Sequence, residues 1–190
     1  MEAIYFKRNL LIISILLGMA SCNTLQLNKS EKLIPKDNLR YNTKFTGANS
    51  NNITSYECEN FAVNALNNYS VASIRQEYKF LKCTQEPKVN IHNPAIIDTI
   101  YTFSDNKNII QVYRAQNKDF IFILDVTNPK FNLTGDVKPG MSKDAFSRKF
   151  NITEAIDEKL QITSINGNTT YLFYFKRNKL KRISTNLYLD

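Results

Sequence analysis

Three cysteines are the residues of this chain best suited to covalent chemistry. Cys22 follows a positively charged pair, an apolar run over residues 10–19 and two small residues. As a helix the run would cover about 15 Å, half of the ~30 Å bilayer core, so it is too short to span a membrane. A short charged segment, an apolar segment and small residues, in that order, are typical of a secretory signal peptide. The sequence therefore predicts that residues 1–21 are a signal peptide.

The residues at the end of this leader, Met-Ala-Ser-Cys at 19–22, resemble the lipobox of bacterial lipoproteins. In that family the cysteine is lipidated and becomes the mature N-terminus, which implies acyl chains such as palmitate on Cys22. Each buried CH₂ contributes about 0.8 kcal/mol, so several chains anchor a protein firmly in a membrane. Asn23, not aspartate, follows the cysteine. By resemblance to known sorting patterns, this implies an outer-membrane lipoprotein of the bacterial cell envelope that faces the periplasm.

Cys58 and Cys83 would remain in the mature chain. An exported chain meets oxidising conditions, which allow a disulfide between them. Such a bond would contribute on the order of 3 kcal/mol in the chain-entropy model. The alternative is two buried free thiols, and the sequence leaves both open.

A basic run offers a second kind of chemistry, and it lies on one predicted hairpin. Its members are Lys176, Arg177, Lys179, Lys181 and Arg182. One interpretation is an anion-binding surface for the phosphates of lipid headgroups, with ~1 kcal/mol contributed by each cation near a charged surface. The other is a solvated hairpin tip whose lysines keep an edge strand from pairing with other chains.

The single histidine and the aspartates give little support for catalysis. His92 lies in a loop that ends at Pro94, and we interpret it as a solvated loop residue. Four aspartates are spread over predicted strands and turns as polar edges: Asp98, Asp105, Asp119 and Asp125. No carboxylates cluster at metal-ligand spacing, and two cysteines cannot close a four-ligand zinc site. We expect no enzyme, no cofactor and no metal.

The composition excludes further classes. Five glycines, all scattered, do not form a phosphate-binding loop or a dinucleotide fingerprint. Hydrophobic residues make up 43% and charged residues 22% of the chain, which indicates a globular domain. The net charge of +8 becomes +7 when residues 1–21 are removed. A basic exported protein is expected to meet anionic lipid or acidic proteins and not nucleic acid.

The chain divides into a tether and one domain. Residues 22–52, rich in Asn, Lys, Thr and Ser, are predicted as the lipidated cysteine and a flexible tether. Apolar residues within the tether, such as Tyr41, indicate that part of it docks on the domain. Residues 53–190 are predicted as one α+β domain with sub-repeats at about 53–130 and 131–190.

Each sub-repeat shows helical periodicity followed by three strand patterns. The first has helices at 55–66 and 74–82, the second with a Ser73–Gln76 capping box, and strands at 97–103, 109–114 and 120–126. The second has a helix that begins after the N-cap Ser142 and strands at 160–165, 169–175 and 180–189. The aromatic run 171–175 is either a binding stripe or a buried central strand. The repetition predicts a duplicated helix-plus-three-strand unit, with the helices packed on one face of an antiparallel sheet.

A family resemblance rests on three segments of the second sub-repeat. Residues 136–150 (DVKPGMSKDAFSRKF), 171–175 (YLFYF) and 179–183 (KLKRI) resemble the repeat unit of exported proteins typified by BamE and the β-lactamase inhibitory protein. The usual Gly-x-Pro after the helix is replaced by Asn151-Ile152. The resemblance implies a non-enzymatic, membrane-anchored binding or assembly module whose partner is another envelope protein. The alternative is an inhibitor or immunity-type protein that blocks a periplasmic or extracellular enzyme.

Overall fold

The computed structural model describes residues 40–48 and 53–187, so the predicted signal peptide and Cys22 lie outside the described residues. Within them, three helices and nine strands occur, and the strands form a single sheet in the order β1-β2-β7-β8-β9-β6-β5-β4-β3. The elements are β1 (Lys44–Ala48), β2 (Thr54–Glu57), α1 (Glu59–Asn64), α2 (Val71–Glu77), β3 (Lys82–Val89), β4 (Ile97–Ser104), β5 (Ile109–Ala115), β6 (Lys118–Val126), α3 (Lys143–Phe150), β7 (Lys159–Thr163), β8 (Thr170–Lys176) and β9 (Lys179–Asn186).

Two antiparallel meanders build most of the sheet. β3 to β6 pair in chain order, and β7 to β9 do the same. β9 joins the two meanders by pairing antiparallel with β6. β2 pairs parallel with β7, with Tyr56 opposite Ile162, and this pairing makes the sheet mixed. The six strands predicted at 97–126 and 160–189 are confirmed, with their ends shifted by a few residues.

The core is rich in aromatic rings that join helices to the middle of the sheet. Phe61 of α1 meets Phe150 of α3 edge-on, with ring centroids 4.9 Å apart. Its ring also lies 5.5 Å from Tyr171 of β8. Phe146 lies 4.9 Å from Phe173, again edge-on. In the run 171–175, the residues at 171, 173 and 175 are buried in the core, and those at 172 and 174 are only partly buried. The run is therefore a central strand that buries one face fully, and not a strand buried on both faces.

The third helix forms as the sequence predicts. The Ser142 hydroxyl accepts a hydrogen bond from the backbone N–H of Ala145 at 3.1 Å. Asp144 lies in the first turn and two basic residues lie in the last, the signs that the helix dipole favours. Asn151 ends the helix in the left-handed conformation, with φ 49°. The buried faces of Phe146 and Phe150 then fix the helix on the core.

The first two helices differ from the prediction. Residues 54–57 form strand β2, and α1 begins at Glu59, because the backbone at 54–57 pairs with the distant β7. The capping box of α2 is formed by Ser70 and Ser73 and not by Ser73 and Gln76. Each of these two serines accepts a hydrogen bond from the other's backbone N–H.

The predicted fold class, α+β with helices packed on one face of an antiparallel sheet as a duplicated helix-plus-three-strand unit, is wrong. Residues 40–48 and 53–187 are dominated by one nine-stranded mixed sheet, and the helices among them contain only six, seven and eight residues. The part of the chain before β7 contributes six strands and the rest contributes three. β1 to β3 break the repeat, and none of these three strands is predicted by the sequence pattern.

Part of the predicted tether belongs to the domain. Tyr41 is buried, its N–H donates to the Lys149 carbonyl at 2.7 Å, and its ring stacks on Phe150 at 5.1 Å. Residues 44–48 form the edge strand β1. Gly135, with φ +78°, packs against the same tyrosine, and a Cβ added at this position would lie 2.5 Å from the Tyr41 hydroxyl oxygen. The domain therefore includes residues 40–48, as the apolar residues of the tether indicate.

Candidate functional site

Cys58 and Cys83 are both free cysteines in the structure, which favours the alternative of two free thiols over the possible Cys58–Cys83 disulfide. Cys58 is buried at the N-cap of α1, beside the β2–β7 end of the sheet. Cys83 lies on β3 at the opposite edge, where its Sγ accepts from Arg75 Nη2 at 3.8 Å. Burial raises the pKa of the Cys58 thiol, which keeps it protonated and unreactive.

The basic run forms the predicted hairpin at β8 and β9. Arg177 and Asn178 make a two-residue turn with positive φ at both positions, 52° and 59°. Four of the cations, Lys176, Arg177, Lys179 and Lys181, are exposed at or near its tip. A register shift between Tyr174 and Phe175 leaves Lys181 without an opposite residue on β8.

Arg182 is exposed too, but its charge is neutralised. Its guanidinium donates to both carboxylate oxygens of Asp125, each at 2.5 Å. It also lies 5.0 Å from the centre of the Tyr174 ring, and Lys159 Nζ lies 6.0 Å from the same centre. Of the five predicted anion-binding cations, the structure thus keeps four available at the hairpin and pairs the fifth.

A cavity of about 390 Å³ opens on the sheet around β4, β5, β6 and the β3–β4 turn, at residues 90–96. This volume lies within the range of small-ligand sites. Its lining consists of Lys88, Val89, Asn90, Ile91, His92, Ile100, Tyr113, Ala115, Phe120 and Phe122. A second, shallower depression of about 290 Å³ involves the neighbouring part of β5 and β6, at Ile109 and Ile123.

Exposed apolar side chains concentrate around this cavity. Ile91 is 70% exposed, Val89 is 54% exposed and Phe120 is 45% exposed. Ile97, 58% exposed, is opposite Val89 in the β3–β4 pairing. Single exposed apolar residues are common on proteins, but a group that walls a cavity marks an interaction site. We therefore take this cavity as the candidate functional site.

A buried carboxylate fixes the turn that borders the cavity. Asp98 of β4 is buried, and its Oδ2 accepts hydrogen bonds from the Tyr113 hydroxyl and from Asn90 Nδ2, the latter at 2.7 Å. Asn90 Oδ1 accepts from the backbone N–H groups of His92 and Asn93, both at 2.9 Å. We call Asp98, Tyr113 and Asn90 the Asp98 network. It ties the β3–β4 turn to the sheet.

The electrostatics of the Asp98 network follow from these bonds. The Tyr113 hydroxyl bond, followed by the Asn90 bond, holds the pKa of Asp98 below its usual value. The same bond to Asp98 raises the pKa of Tyr113. Asp98 therefore stays ionised and Tyr113 stays protonated near neutral pH. Among the described residues, Asp98 Oδ1 is the one buried side-chain polar atom without a hydrogen-bond partner.

The other three aspartates form hydrogen bonds or ion pairs within the fold. Asp105 accepts from the N–H groups of Lys107 and Asn108 and closes the β4–β5 turn. Asp119 receives two hydrogen bonds from Arg114 and one from the Val71 N–H at the start of α2. Asp125 pairs with Arg182. The prediction that the aspartates are polar strand and turn residues agrees with these positions, except that Asp98 is buried.

Sequence reasoning missed the cavity and placed His92 in an isolated solvated loop. The loop is real and exposed, but it borders the cavity because β3 pairs with β4 and brings the turn beside β5 and β6. The available signal was Val89 and Ile91, two apolar residues on either side of Asn90 at the end of β3. Without β3, that signal could not be placed on the sheet.

The part of the chain that the structure describes contains no group of three or more His, Cys, Asp or Glu side chains able to hold a metal ion. In that same part, no helix has the length and apolarity needed to cross a membrane. Comparison of the chain with protein-family models, curated proteins and solved structures finds no match in any of the three. The resemblance to the BamE family stays a prediction.

Proposed function

We propose that the protein is a lipid-anchored, non-enzymatic binding module of the bacterial cell envelope. The observation that carries the binding role is the cavity of about 390 Å³, which is walled by exposed apolar residues and bordered by a turn that the Asp98 network fixes. A preformed site of this kind reduces the ordering cost of binding. The anchor rests on the leader sequence and on Cys22.

The basic hairpin supports a location close to a membrane. Its four available cations, Lys176, Arg177, Lys179 and Lys181, are exposed together at one end of the sheet. Anionic phospholipid attracts such groups within a Debye length of ~8 Å at physiological salt. On this proposal, the acyl chains of Cys22 hold the domain at the outer membrane on its periplasmic side, and the hairpin adds a salt-dependent contact with lipid headgroups.

Replacement of the anchor cysteine tests the first part of the proposal. In the full chain, Cys22→Ala should abolish palmitate labelling and move the protein from the membrane to the soluble fraction. Cys83→Ala is the matched control, because that thiol is free and partly exposed within the domain, and it should leave both properties unchanged. A Cys22→Ala protein that is still labelled and membrane-bound would contradict the anchor.

Co-purification tests the binding role. Wild-type protein extracted from membranes in mild detergent should carry a bound molecule that Phe120→Asp loses. Phe45→Asp is the control, because Phe45 is 50% exposed against 45% for Phe120 but lies on the edge strand β1. Equal recovery of the bound molecule with both variants would contradict the assignment of the cavity.

The aromatic residues of the cavity wall favour a second candidate, an inhibitor or immunity-type protein. Phe120, Phe122 and Tyr113 present aromatic surface on the sheet, and aromatic residues are enriched at protein interfaces. This candidate requires a secreted or periplasmic enzyme as the co-purified molecule, in a one-to-one complex and with its activity lost. A bound lipid in place of an enzyme would exclude it.

A further inference from the structure

The polar groups in the cavity wall are already used within the protein. The Tyr113 hydroxyl donates to Asp98, and so does Asn90 Nδ2. Asn90 Oδ1 accepts from two backbone N–H groups of the turn. The remaining wall residues, apart from Lys88 and His92, are aliphatic or aromatic. Burying a polar ligand group against these aliphatic and aromatic residues would be costly, so we expect the buried part of the ligand to be apolar.

The exposed part of the lining, which we call the mouth, carries polar side chains beside the apolar ones. Lys88 and His92 are exposed and line it, and in the described part of the chain neither side chain has a hydrogen bond or an ion pair. Lys88 carries the positive charge at this position. Glu86 lies two residues earlier on β3, and the buried Asp98 is opposite Lys88 in the β3–β4 pairing. The Asp98 carboxylate is buried and accepts hydrogen bonds from Tyr113 and Asn90. The exposed charge among the residues that line the cavity is therefore that of Lys88, and an anionic group is expected to bind beside it.

We infer that the ligand class is a single-chain amphiphile: an alkyl tail that fills the cavity and one anionic head, a carboxylate or phosphate, held at the mouth by Lys88 with His92 beside it. This inference rests on the proposed binding function and specifies its ligand. The Tyr113 and Asn90 hydrogen bonds keep the wall in place whether or not a ligand is bound.

Three probes with the same tail test the inference: dodecanoate, dodecyl phosphate and dodecyltrimethylammonium, each below its micelle concentration. The chain from residue 23 is used, because it retains every buried core residue that the structure describes, from Tyr41 to Ile183. Calorimetry measures the affinity. The protein has one histidine, so a single His92 ring resonance in NMR spectra reports on the mouth. Both anions should bind one-to-one and shift it, and the cationic probe should bind at least about tenfold more weakly.

Variants locate the head and the tail. Lys88→Glu should weaken dodecanoate about tenfold and strengthen the cationic probe. Lys82→Glu makes the same change on the same strand about 20 Å away, beyond the Debye length, and should change neither affinity by more than about twofold. Ala115→Trp fills the cavity and should abolish binding of all three probes. Phe120→Asp serves the same purpose on an exposed residue if the tryptophan variant does not fold.

Each remaining outcome contradicts a defined part of the inference. Equal affinities for the anionic and cationic probes, or no effect of Lys88→Glu, would refute the anionic head. Unchanged binding in folded Ala115→Trp and Phe120→Asp would refute the cavity as the site of the tail. If no probe binds while a protein still co-purifies through Phe120, the amphiphile is refuted and the proposed binding function stands.

Discussion

Asn90→Ala measures how strongly the β3–β4 turn is tied to the sheet. The substitution removes three hydrogen bonds: one to the Asp98 carboxylate at 2.7 Å and two from backbone N–H groups of the turn at 2.9 Å. A hydrogen bond to a charged group contributes about 1.5–3 kcal/mol, and an exposed neutral bond contributes about 0.5 kcal/mol at the low end of its range. The expected loss in the free energy of unfolding is therefore about 2.5–4 kcal/mol.

Thermal and urea unfolding of the chain from residue 23 provide the assay. For a domain of this size, the expected loss lowers Tm by about 5–15 °C. Asn93→Ala is the control, because Asn93 Oδ1 accepts a single exposed bond from the Ala95 N–H at 3.1 Å, and its loss should cost about 0.5 kcal/mol. Hydrogen exchange at the His92 and Asn93 amides should accelerate in Asn90→Ala. If both variants lose the same small amount of stability, the turn is not held by the Asp98 network.

Three further predictions follow from the described residues. Gly135→Ala should destabilise the domain by several kcal/mol more than Gly167→Ala does, as measured by chemical denaturation. Both glycines have positive φ (+78° and +75°), but only at position 135 would the added Cβ clash with the Tyr41 hydroxyl, at 2.5 Å. In native protein, a thiol reagent should modify Cys83 within minutes and Cys58 only on unfolding. If the reagent modifies neither cysteine, even on unfolding, the two thiols are joined in a disulfide. Because the folded-state pKa of Asp98 is lowered, its contribution to stability is present above the unfolded-state value of about 4 and is lost as pH falls through the folded-state value. The fall in Tm below pH 4 should accordingly be less steep in Asp98→Asn, and identical slopes would contradict this assignment.

Local signals were sufficient for the elements that their own residues stabilise. α3 was predictable because Ser142 caps it and because two buried phenylalanines lie one helical turn apart. The strands at 97–126 and 160–189 were predictable because β-rich stretches alternate with polar turns and each strand pairs with the next in sequence. The fold class was not predictable from these signals, because it depends on strands that pair over long distances.

β2 and β3 show the two reasons for that failure. β2 is four residues long and runs directly into the apolar stripe of α1, so its residues were assigned to the helix, and its parallel partner β7 lies about 100 residues later. β3 is an edge strand with almost every residue exposed, so it has no apolar alternation to detect, and it contains Pro87. The cavity needs β3 in place. His92, a polar residue of the cavity lining, was noted in the sequence, but the apolar residues of the lining were not.

Site-specific photo-crosslinking tests the binding role of the cavity most directly. Benzoylphenylalanine replaces Phe120 or Phe45 in the full chain, which is then irradiated in intact cells. The proposal predicts one discrete adduct from position 120, a lipid by mass spectrometry, that disappears in Ala115→Trp, and no such adduct from position 45. The same adducts from both positions, or an adduct at 120 that persists in folded Ala115→Trp, would show that the cavity is not the binding site.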